Sequence, residues 1–342
     1  RPLATTEKML DALVASEGEP DLVQISGGEP TLHPAFFAIL DAVRARPIRH
    51  VMVNTNGLRI ARDPDFVARL AENKRGLEIY LQFDSLQRDA LINLRGADLR
   101  KIRQQALENL EQQGLSTTLV VTVKRGINDR EIGDIVRHAL TWRCARGVTF
   151  QPVQDAGRNE GFNKDTDRIM LSEIRKHVVE AGIFGEDDMI PLPRNPESIS
   201  IGYGLRNGDT VLPVTSLIPQ QQLVDIMPNT ISMEKYPALR EKFIDLFSLS
   251  SGPLNTGQRV SEFLCCLPQF EAPANLGYES IFRVTIVQFL DRFNFCVGNV
   301  NRSCIHFVTQ AGQIIPFDTY NLFYRDDRIV GIRAHMTEEV KT

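Results

Sequence analysis

The sequence lacks the features that mark secreted, membrane-spanning or nucleic-acid-binding proteins. Its 342 residues include five cysteines without regular spacing, none of them before Cys144. This pattern argues against a secreted disulfide scaffold and favours a reducing cytoplasm. No apolar run is longer than a strand and no signal or transit peptide is recognisable, so no transmembrane segment is predicted. The formal net charge is −4 with no long basic run, so no nucleic-acid partner is expected.

Strand and helix patterns alternate through the first 155 residues. Short apolar, β-branched runs predict the strands, and apolar residues at helical spacing predict the helices between them. The five predicted strands are Leu22–Ser26, His50–Asn54, Leu77–Phe83, Thr117–Val123 and Val148–Val153. Repeated units of this length predict an α/β fold with a parallel sheet and right-handed crossovers. Periodicity alone does not choose between a partial barrel, an eight-stranded barrel and an open doubly wound sheet.

The alternation stops near Gln154, and the rest of the chain is organised differently. A helix is predicted over Met233–Phe247, followed by a linker rich in Gly, Ser and Pro. The last hundred residues are predicted to be α+β, with strands at Ile281–Phe289 and Ile305–Val308 and a hairpin turn at Ala311–Gln313. We therefore predict a barrel domain over residues 1–155, a mixed connecting region over 156–248 and a smaller α+β domain over 249–342.

The most informative stretch follows the first predicted strand. The strand runs directly into Gly27-Gly28-Glu29-Pro30, and a helix is predicted to open at Pro34. Glycine lets the backbone approach a ligand closely, and parallel α/β proteins bind ligands at the carboxyl ends of their strands. These four residues therefore indicate a ligand-binding turn, and a purely structural βα turn is the alternative.

The stretch resembles the Gly-Gly-Glu-Pro motif of the radical S-adenosyl-L-methionine (SAM) superfamily. Asn54-Thr55-Asn56-Gly57, after the next strand, is similar to a segment that the family often carries there. The resemblance implies a partial (β/α)6 barrel of these five strands and at least one more before Arg1. It also implies that the Gly27-Gly28-Glu29-Pro30 turn binds the amino group of SAM's methionine moiety, and that Asn54 and Asn56 belong to the same site.

Further site residues are predicted at the ends of later strands. Gln82 and Asp84 alternate onto one side of the third strand, which would be the barrel lumen. By resemblance, Gln82 approaches the SAM ribose and Arg95 pairs with the methionine carboxylate, for which an arginine fork is well suited. Thr122 is expected to border the adenosine. Hydrogen bonds to neighbouring loops, or a surface position for Arg95, are the alternatives.

The family's chemistry requires a [4Fe–4S] cluster, and the cysteines of this sequence do not supply its ligands at the family's position. The cluster and an electron donor such as ferredoxin or flavodoxin convert SAM to a 5′-deoxyadenosyl radical, and a Cys-x3-Cys-x2-Cys loop before the glycine motif holds the cluster. Here no cysteine precedes Cys144. Either the loop lies upstream of Arg1, which is not an initiating Met, or the chain is a homologue that binds without catalysing. We expect the ligands upstream of Arg1, and no radical formation by these residues alone.

The remaining cysteines are concentrated late in the chain. Cys265, Cys266, Cys296 and Cys304 are four of the five. Thiolates are natural ligands for iron and iron–sulfur clusters, so we predict that these residues converge on an auxiliary iron or iron–sulfur centre. Asp318 and His306 are candidate substitutes for a missing thiolate. The alternative is a set of ordinary buried thiols, as expected for Cys144.

Two later segments resemble one radical SAM group that includes the archaeal tetraether lipid synthase and the methanogen enzyme that methylates a dihydropterin. They are Asp188–Pro196 and Asn301–Asn321, with Arg194 where the group carries a cysteine. The resemblance implies C–C bond formation or methylation at an unactivated carbon of a small-molecule or lipid substrate. A peptide-modifying radical SAM enzyme, a non-catalytic homologue and an ordinary (β/α)8 enzyme with a phosphate-binding turn stay open as alternatives.

Overall fold

The helices and strands alternate as the sequence predicts. The computed structural model describes residues 1–156, 159, 161–208, 210–216, 219–226 and 281–325. The helices are α1 (Leu3–Glu17), α2 (Phe36–Arg44), α3 (Leu58–Arg62), α4 (Pro64–Ala71), α5 (Arg88–Arg95), α6 (Arg100–Gln113), α7 (Ile132–Leu140), α8 (Leu171–Glu180), α9 (Gln220–Ile226) and two short ones, α10 (Val297–Val300) and α11 (Phe317–Thr319). The strands are β1 (Leu22–Ile25), β2 (His50–Thr55), β3 (Leu77–Gln82), β4 (Thr117–Val123), β5 (Ala145–Pro152), β6 (Met189–Pro191), β7 (Ile199–Asn207), β8 (Thr210–Pro213), β9 (Ile281–Val287), β10 (His306–Val308) and β11 (Ile314–Pro316).

A mostly parallel sheet organises the described chain, which confirms the predicted α/β class. Its order is β1-β2-β3-β4-β5-β9-β7-β6, with β8 also paired to β7. Strands β1 to β5 and β9 run parallel, whereas β7 runs antiparallel to β9, β6 and β8. The carboxyl ends of the six parallel strands therefore meet at one edge of the sheet. We call it the carboxyl edge.

The parallel strand beside β5 comes from far along the sequence. Strand β9 pairs with β5 and with β7, so hydrogen bonding crosses both predicted domain boundaries. The division at 155/156 and 248/249 stays a prediction. A smaller carboxyl-terminal part is present as the hairpin β10–β11, whose turn contains Gly312 at φ 79°. The helix predicted at Met233–Phe247 lies outside the described residues.

One face of the sheet packs against the helices. Alternating residues of the strands and the apolar sides of the helices form a continuous buried cluster that includes Val53, Ile79, Leu119 and Leu110. Helix α2 begins at Phe36 rather than at the predicted Pro34, because a short 3-10 turn over Pro30–Leu32 intervenes. Among the described residues, no helix is both long and apolar enough to cross a bilayer.

The other face of the sheet curls around a buried polar cluster. Glu78 on β3 accepts hydrogen bonds from Arg283 on β9 and Thr118 on β4, and lies 3.1 Å from Nε2 of His50. In a flat sheet β3 and β9 would lie about 14 Å apart, since β4 and β5 separate them. Direct contact between Glu78 and Arg283 therefore requires strong curvature. This is the geometry expected of a partial barrel, and we call this face the lumen.

Candidate active site

Two successive glycines shape the turn after β1. Gly27 has φ 104° and Gly28 has φ 58°, conformations that residues with a side chain rarely adopt. A Cβ placed on either glycine would meet no atom within 4 Å. The backbone of the turn thus borders open space at the carboxyl edge, and glycine is needed for the conformation rather than for packing inside the protein.

Glu29 connects this turn to the end of β2. Its Oε1 accepts hydrogen bonds from the Thr31 hydroxyl (2.6 Å) and the Thr55 hydroxyl (2.8 Å), and its Oε2 accepts from the Asn56 amide (2.7 Å). Both carboxylate oxygens are therefore occupied within the protein, and Pro30 is buried behind them. Glu29 and Pro30 hold the glycine turn in place, and the free surface that a ligand can reach belongs to Gly27 and Gly28.

The segment after β2 is held from two directions. Asn56 Oδ1 accepts the Leu58 amide at 2.9 Å and so caps α3, while the Asn56 carbonyl accepts a hydrogen bond from Arg103. Gly57 has φ 76°, and an added Cβ would lie 2.6 Å from Leu81 Cδ1. Asn54 is half-buried at the carboxyl end of β2. The structure thus places Asn56 beside Glu29 and Asn54 at the end of the strand next to β1, and their part in cofactor binding stays a prediction.

Asp84 and Arg95 form a two-bond ion pair beyond the end of β3. Arg95 Nε and Nη2 donate to the two oxygens of Asp84 at 2.7 Å each, and Nη2 also donates to the Thr122 hydroxyl at 3.0 Å. Burial lowers the pKa of Arg95, but the hydrogen bonds and charge of Asp84 outweigh it, so the pKa of Arg95 is raised. The sequence predicts that Arg95 binds the carboxylate of a ligand, but its Nε and Nη2 are paired with Asp84.

Asp84 is fully buried, so it holds Arg95 and Thr122 rather than facing a ligand. Its Oδ1 also accepts the Thr122 amide at 3.1 Å. Gln82, the last residue of β3, is half-buried on the lumen side of the same strand end. The structure therefore groups Asp84, Arg95 and Thr122 at the carboxyl edge, with Gln82 at the end of β3, and their part in cofactor binding stays a prediction. Strand alternation does not extend to Asp84, which lies beyond β3 with φ 66°.

Two buried residues that sequence reasoning missed support this group. Asn128 Nδ2 donates to the carbonyls of Asp84 and Thr122 at 2.8 Å each. Glu131 accepts the Ser85 hydroxyl at 2.6 Å and the Leu86 amide at 2.9 Å. Both follow β4 in a polar turn whose pattern resembles an ordinary loop, so no sequence signal distinguishes them.

Arg103 is a third residue that sequence reasoning missed. It lies on α6 with only 2% of its surface exposed, and its Nη2 is 4.0 Å from Asp84 Oδ2. Burial lowers the pKa of Arg103 to about 10. A sequence signal did exist, because Arg103 falls between Leu99 and Ala106 on the apolar side of this helix. A charge in that position needs a buried partner.

The described residues fit SAM better than they fit a metal cluster. The open glycine turn offers backbone groups to an amino acid moiety, and Thr122 and Gln82 offer polar atoms at neighbouring strand ends. In contrast, no cysteine precedes Cys144 in the sequence, and within the described ranges no group of three His, Cys, Asp or Glu side chains is placed to hold a metal ion. We therefore assign no cluster ligand to these residues.

The predicted auxiliary iron site stays a prediction. Cys265 and Cys266 lie outside the described residues, Cys296 is exposed and Cys304 is half-buried. Burial raises the pKa of the Cys304 thiol to about 11 and that of the neighbouring Asp318 carboxyl to about 6. Cys144 is buried in the core, as expected.

Known proteins resemble this chain over the region that contains the carboxyl edge. The Radical SAM superfamily model matches residues 1–139. The 7,8-dihydro-6-hydroxymethylpterin dimethyltransferase of Methanocaldococcus jannaschii is 29% identical over 94% of this chain and 70% of its own length. A GTP 3′,8-cyclase of Synechocystis sp. is 31% identical over 35% of this chain and 36% of the cyclase. The mycofactocin maturase MftC of Mycobacterium ulcerans is 30% identical over 40% of this chain and 35% of its own length.

The chain thus spans little more than a third of the cyclase and of the maturase, but most of the pterin dimethyltransferase. All three are named as enzymes, and the matched family domain covers β1 to β4 with the glycine turn and the Asp84–Arg95 pair. Residues 1–139 therefore match the radical SAM superfamily, and the protein is an enzyme similar to these three.

Proposed function

We propose that the protein uses a 5′-deoxyadenosyl radical from SAM to methylate, or to form a C–C bond at, an unactivated carbon of a small heterocyclic molecule of the pterin class. The observation that carries the first half is the open Gly27–Gly28 turn at the carboxyl edge of a radical SAM domain. The second half is supported by the dimethyltransferase, whose name specifies a dihydropterin and whose similarity extends over 94% of this chain.

The residues of the chain contribute binding and orientation in this proposal. The Gly27 and Gly28 backbone receives the amino group of SAM, and Gln82 and Thr122 border its nucleoside. Because Asp84 occupies Arg95 Nε and Nη2, Arg95 offers its remaining nitrogen, Nη1, to the methionine carboxylate. The family's [4Fe–4S] cluster, reduced by a donor such as ferredoxin or flavodoxin, supplies the electron that cleaves SAM.

The glycine turn can be tested against a second glycine of positive φ, which precedes β1 rather than following it. Gly18 ends α1 with φ 70°, and a Cβ placed there also meets nothing within 4 Å. Gly28→Ala and Gly18→Ala therefore each place an alanine at a positive φ, which residues with a side chain rarely adopt. Only the Gly28 substitution places a methyl group in the space assigned to SAM.

The measurement is SAM affinity by calorimetry, together with 5′-deoxyadenosine production by the full-length protein after anaerobic reconstitution with iron and sulfide. We expect Gly28→Ala to weaken SAM binding at least about tenfold, as the loss of a charge-assisted hydrogen bond would, and Gly18→Ala to match the wild type. Equal SAM affinity in both variants and the wild type would contradict the assignment of this turn.

A further inference from the structure

A cleft lies at the carboxyl end of β9, on the same edge of the sheet as the glycine turn. It is a shallow cleft, half open to solvent, between the end of β9, the turn before β7 and the segment that carries β10 and β11. Its walls include Val287, Phe289, Asn195, Cys304 and Asp318. Because β9 pairs with β5 in parallel, the cleft opens at the edge where radical chemistry is proposed.

One buried hydrogen-bond acceptor of this cleft lacks a donor, and a carboxylate lies beside it. Asn195 is 4% exposed and donates through Nδ2 to the Arg302 carbonyl at 3.0 Å, but its buried Oδ1 has no hydrogen-bond partner in the described chain. Asp318 is half-buried and accepts the Leu290 amide through Oδ1 at 2.8 Å. A buried acceptor without a donor costs about 1–3 kcal/mol, so a ligand that donates to Asn195 would be favoured, and the Asp318 carboxylate offers a second acceptor.

The cleft also has an aromatic wall. Phe289 lines it and packs against Phe317, with ring centroids 4.6 Å apart and planes tilted by 45°. Cys304 and Ile305 contribute further apolar surface beside Phe289. A flat ring can lie against such a wall while its edge faces the two acceptors. The arrangement is suited to a planar heterocycle with N–H donors along one edge.

We propose that this cleft binds the N–H donor edge of the substrate, with Asp318 and Asn195 accepting hydrogen bonds from the adjacent ring N–H and amino group of a 2-amino-4-oxo-pyrimidine ring. This inference rests on the proposed function and adds the residues that recognise the substrate. Pterins carry such an edge. A bare metal ion is a poorer occupant, because no set of three metal-ligating side chains is found in the described part of the chain.

The binding test uses 7,8-dihydro-6-hydroxymethylpterin and its 2-oxo analogue as probes of the full-length protein at pH 8. The analogue exchanges the amino donor for an oxo acceptor and keeps the N3–H donor, while N1 gains a proton. We expect the pterin to bind at least about tenfold more tightly than the analogue, since the analogue leaves an acceptor facing an acceptor.

The variants are Asp318→Asn and Asn195→Ala, with Asp187→Asn as the control for charge. Asp187 is exposed and does not line the cleft. We expect Asp318→Asn and Asn195→Ala each to weaken pterin binding at least about tenfold, while Asp187→Asn binds as the wild type does. Asp318→Asn keeps an acceptor for the Leu290 amide, so the protein is expected to fold.

The outcomes separate this inference from the proposed function. If the pterin binds but Asp318→Asn and Asn195→Ala have no effect, the cleft assignment is wrong, whatever the SAM assay shows. If neither probe binds while SAM is cleaved, the cleft and the pterin class are both wrong and the radical SAM activity stands. If binding depends on Asp318 but no 5′-deoxyadenosine forms, the cleft stands and the proposed reaction fails. Iron retained by the wild type and lost in Asp318→Asn, with no pterin binding, would also overturn the inference.

Discussion

At the scale of single residues, the decisive feature is a strained carboxylate. Asp84 is the one residue other than glycine in the described chain with a positive φ, 66°. Asp tolerates this conformation better than most residues, although it still costs free energy. The strain points the carboxylate at Arg95 and at the Thr122 amide. One buried residue thus orients two groups at the carboxyl edge, and the Arg95 guanidinium, which could bind a ligand carboxylate, binds the carboxylate of Asp84.

The substitution Asp84→Asn tests this role. Asn tolerates the same backbone, so the change removes the charge that holds Arg95 without altering the strain. We expect the free energy of unfolding to fall by about 1.5–3 kcal/mol, the value of a hydrogen bond to a charged group, as measured by urea denaturation.

Asp98→Asn is the matched control, because Asp98 pairs with Arg100 at the surface. Its urea midpoint should stay at the wild-type value, since exposed pairs contribute little. Equal midpoints for Asp84→Asn and the wild type would show that the buried ion pair does not stabilise the fold.

At the scale of secondary structure, strand ends are joined by side chains from the following turns. Strands β3 and β4 pair through Gln82 and Val120, and Asn128 continues the connection beyond the last paired residues. Its Nδ2 donates to the carbonyls of Asp84, which follows β3, and of Thr122 on β4. Its Oδ1 accepts the Lys124 amide at 2.9 Å. The carboxyl edge near Arg95 is therefore rigid because a turn after β4 holds it.

We expect Asn128→Ala to loosen this edge specifically. The variant removes the hydrogen-bond partner of two carbonyls and one amide, at a cost of about 1–3 kcal/mol for each group that stays unsatisfied. Amide hydrogen exchange should speed up at Thr122 and Asp84 and stay unchanged in α2. Asn73→Ala, at an exposed position, is expected to exchange like the wild type. Unchanged protection in Asn128→Ala would contradict this account.

At the scale of the whole molecule, a buried ion pair connects two strands that are far apart in the sequence. Glu78 and Arg283 are 205 residues apart. Gly147 on the intervening β5 makes room for the arginine, since a Cβ there would lie 2.8 Å from Arg283 Cγ. Burial raises the pKa of Glu78, but the charge of Arg283 and the contact with His50 outweigh it and hold the pKa well below its usual range. The pair links β9 to the first strands of the barrel.

This pair predicts the pH dependence of stability. Because the pKa of Glu78 is depressed on folding, its contribution is present above the unfolded value of about 4.3 and is lost as the pH falls through the folded pKa. We expect Glu78→Gln to lower the free energy of unfolding at pH 7 by about 3–5 kcal/mol, because the buried Arg283 loses the negative charge of Glu78.

The double variant Glu78→Gln with Arg283→Met should recover part of this loss at pH 7, and the difference between Glu78→Gln and the wild type should shrink as the pH falls below 4. Urea denaturation across this pH range measures both effects. A constant difference at every pH, or additive losses in the double variant, would contradict the coupling of Glu78 and Arg283.

The sequence by itself determined the local elements and the glycine turn, because both depend on neighbours in the chain. Apolar periodicity placed the first five strands and their parallel class, and Gly27-Gly28 marked the turn because only glycine adopts its backbone readily. The second neighbour of β5 in the sheet, strand β9, was decided by tertiary structure. Strand β9 reaches it from more than a hundred residues away, which no local pattern encodes.

The internal partners of the site residues were also decided by the tertiary structure. Sequence placed Glu29, Asp84 and Arg95 near one another, since strand ends meet at one edge. It did not show that Glu29 bonds to Thr55 and Asn56, or that Asp84 occupies the fork of Arg95. Nor did it show that Asn195 and Asp318, from separate segments, face one cleft. Such contacts follow from how distant segments pack, and a buried charge or amide takes whichever partner that packing brings within reach.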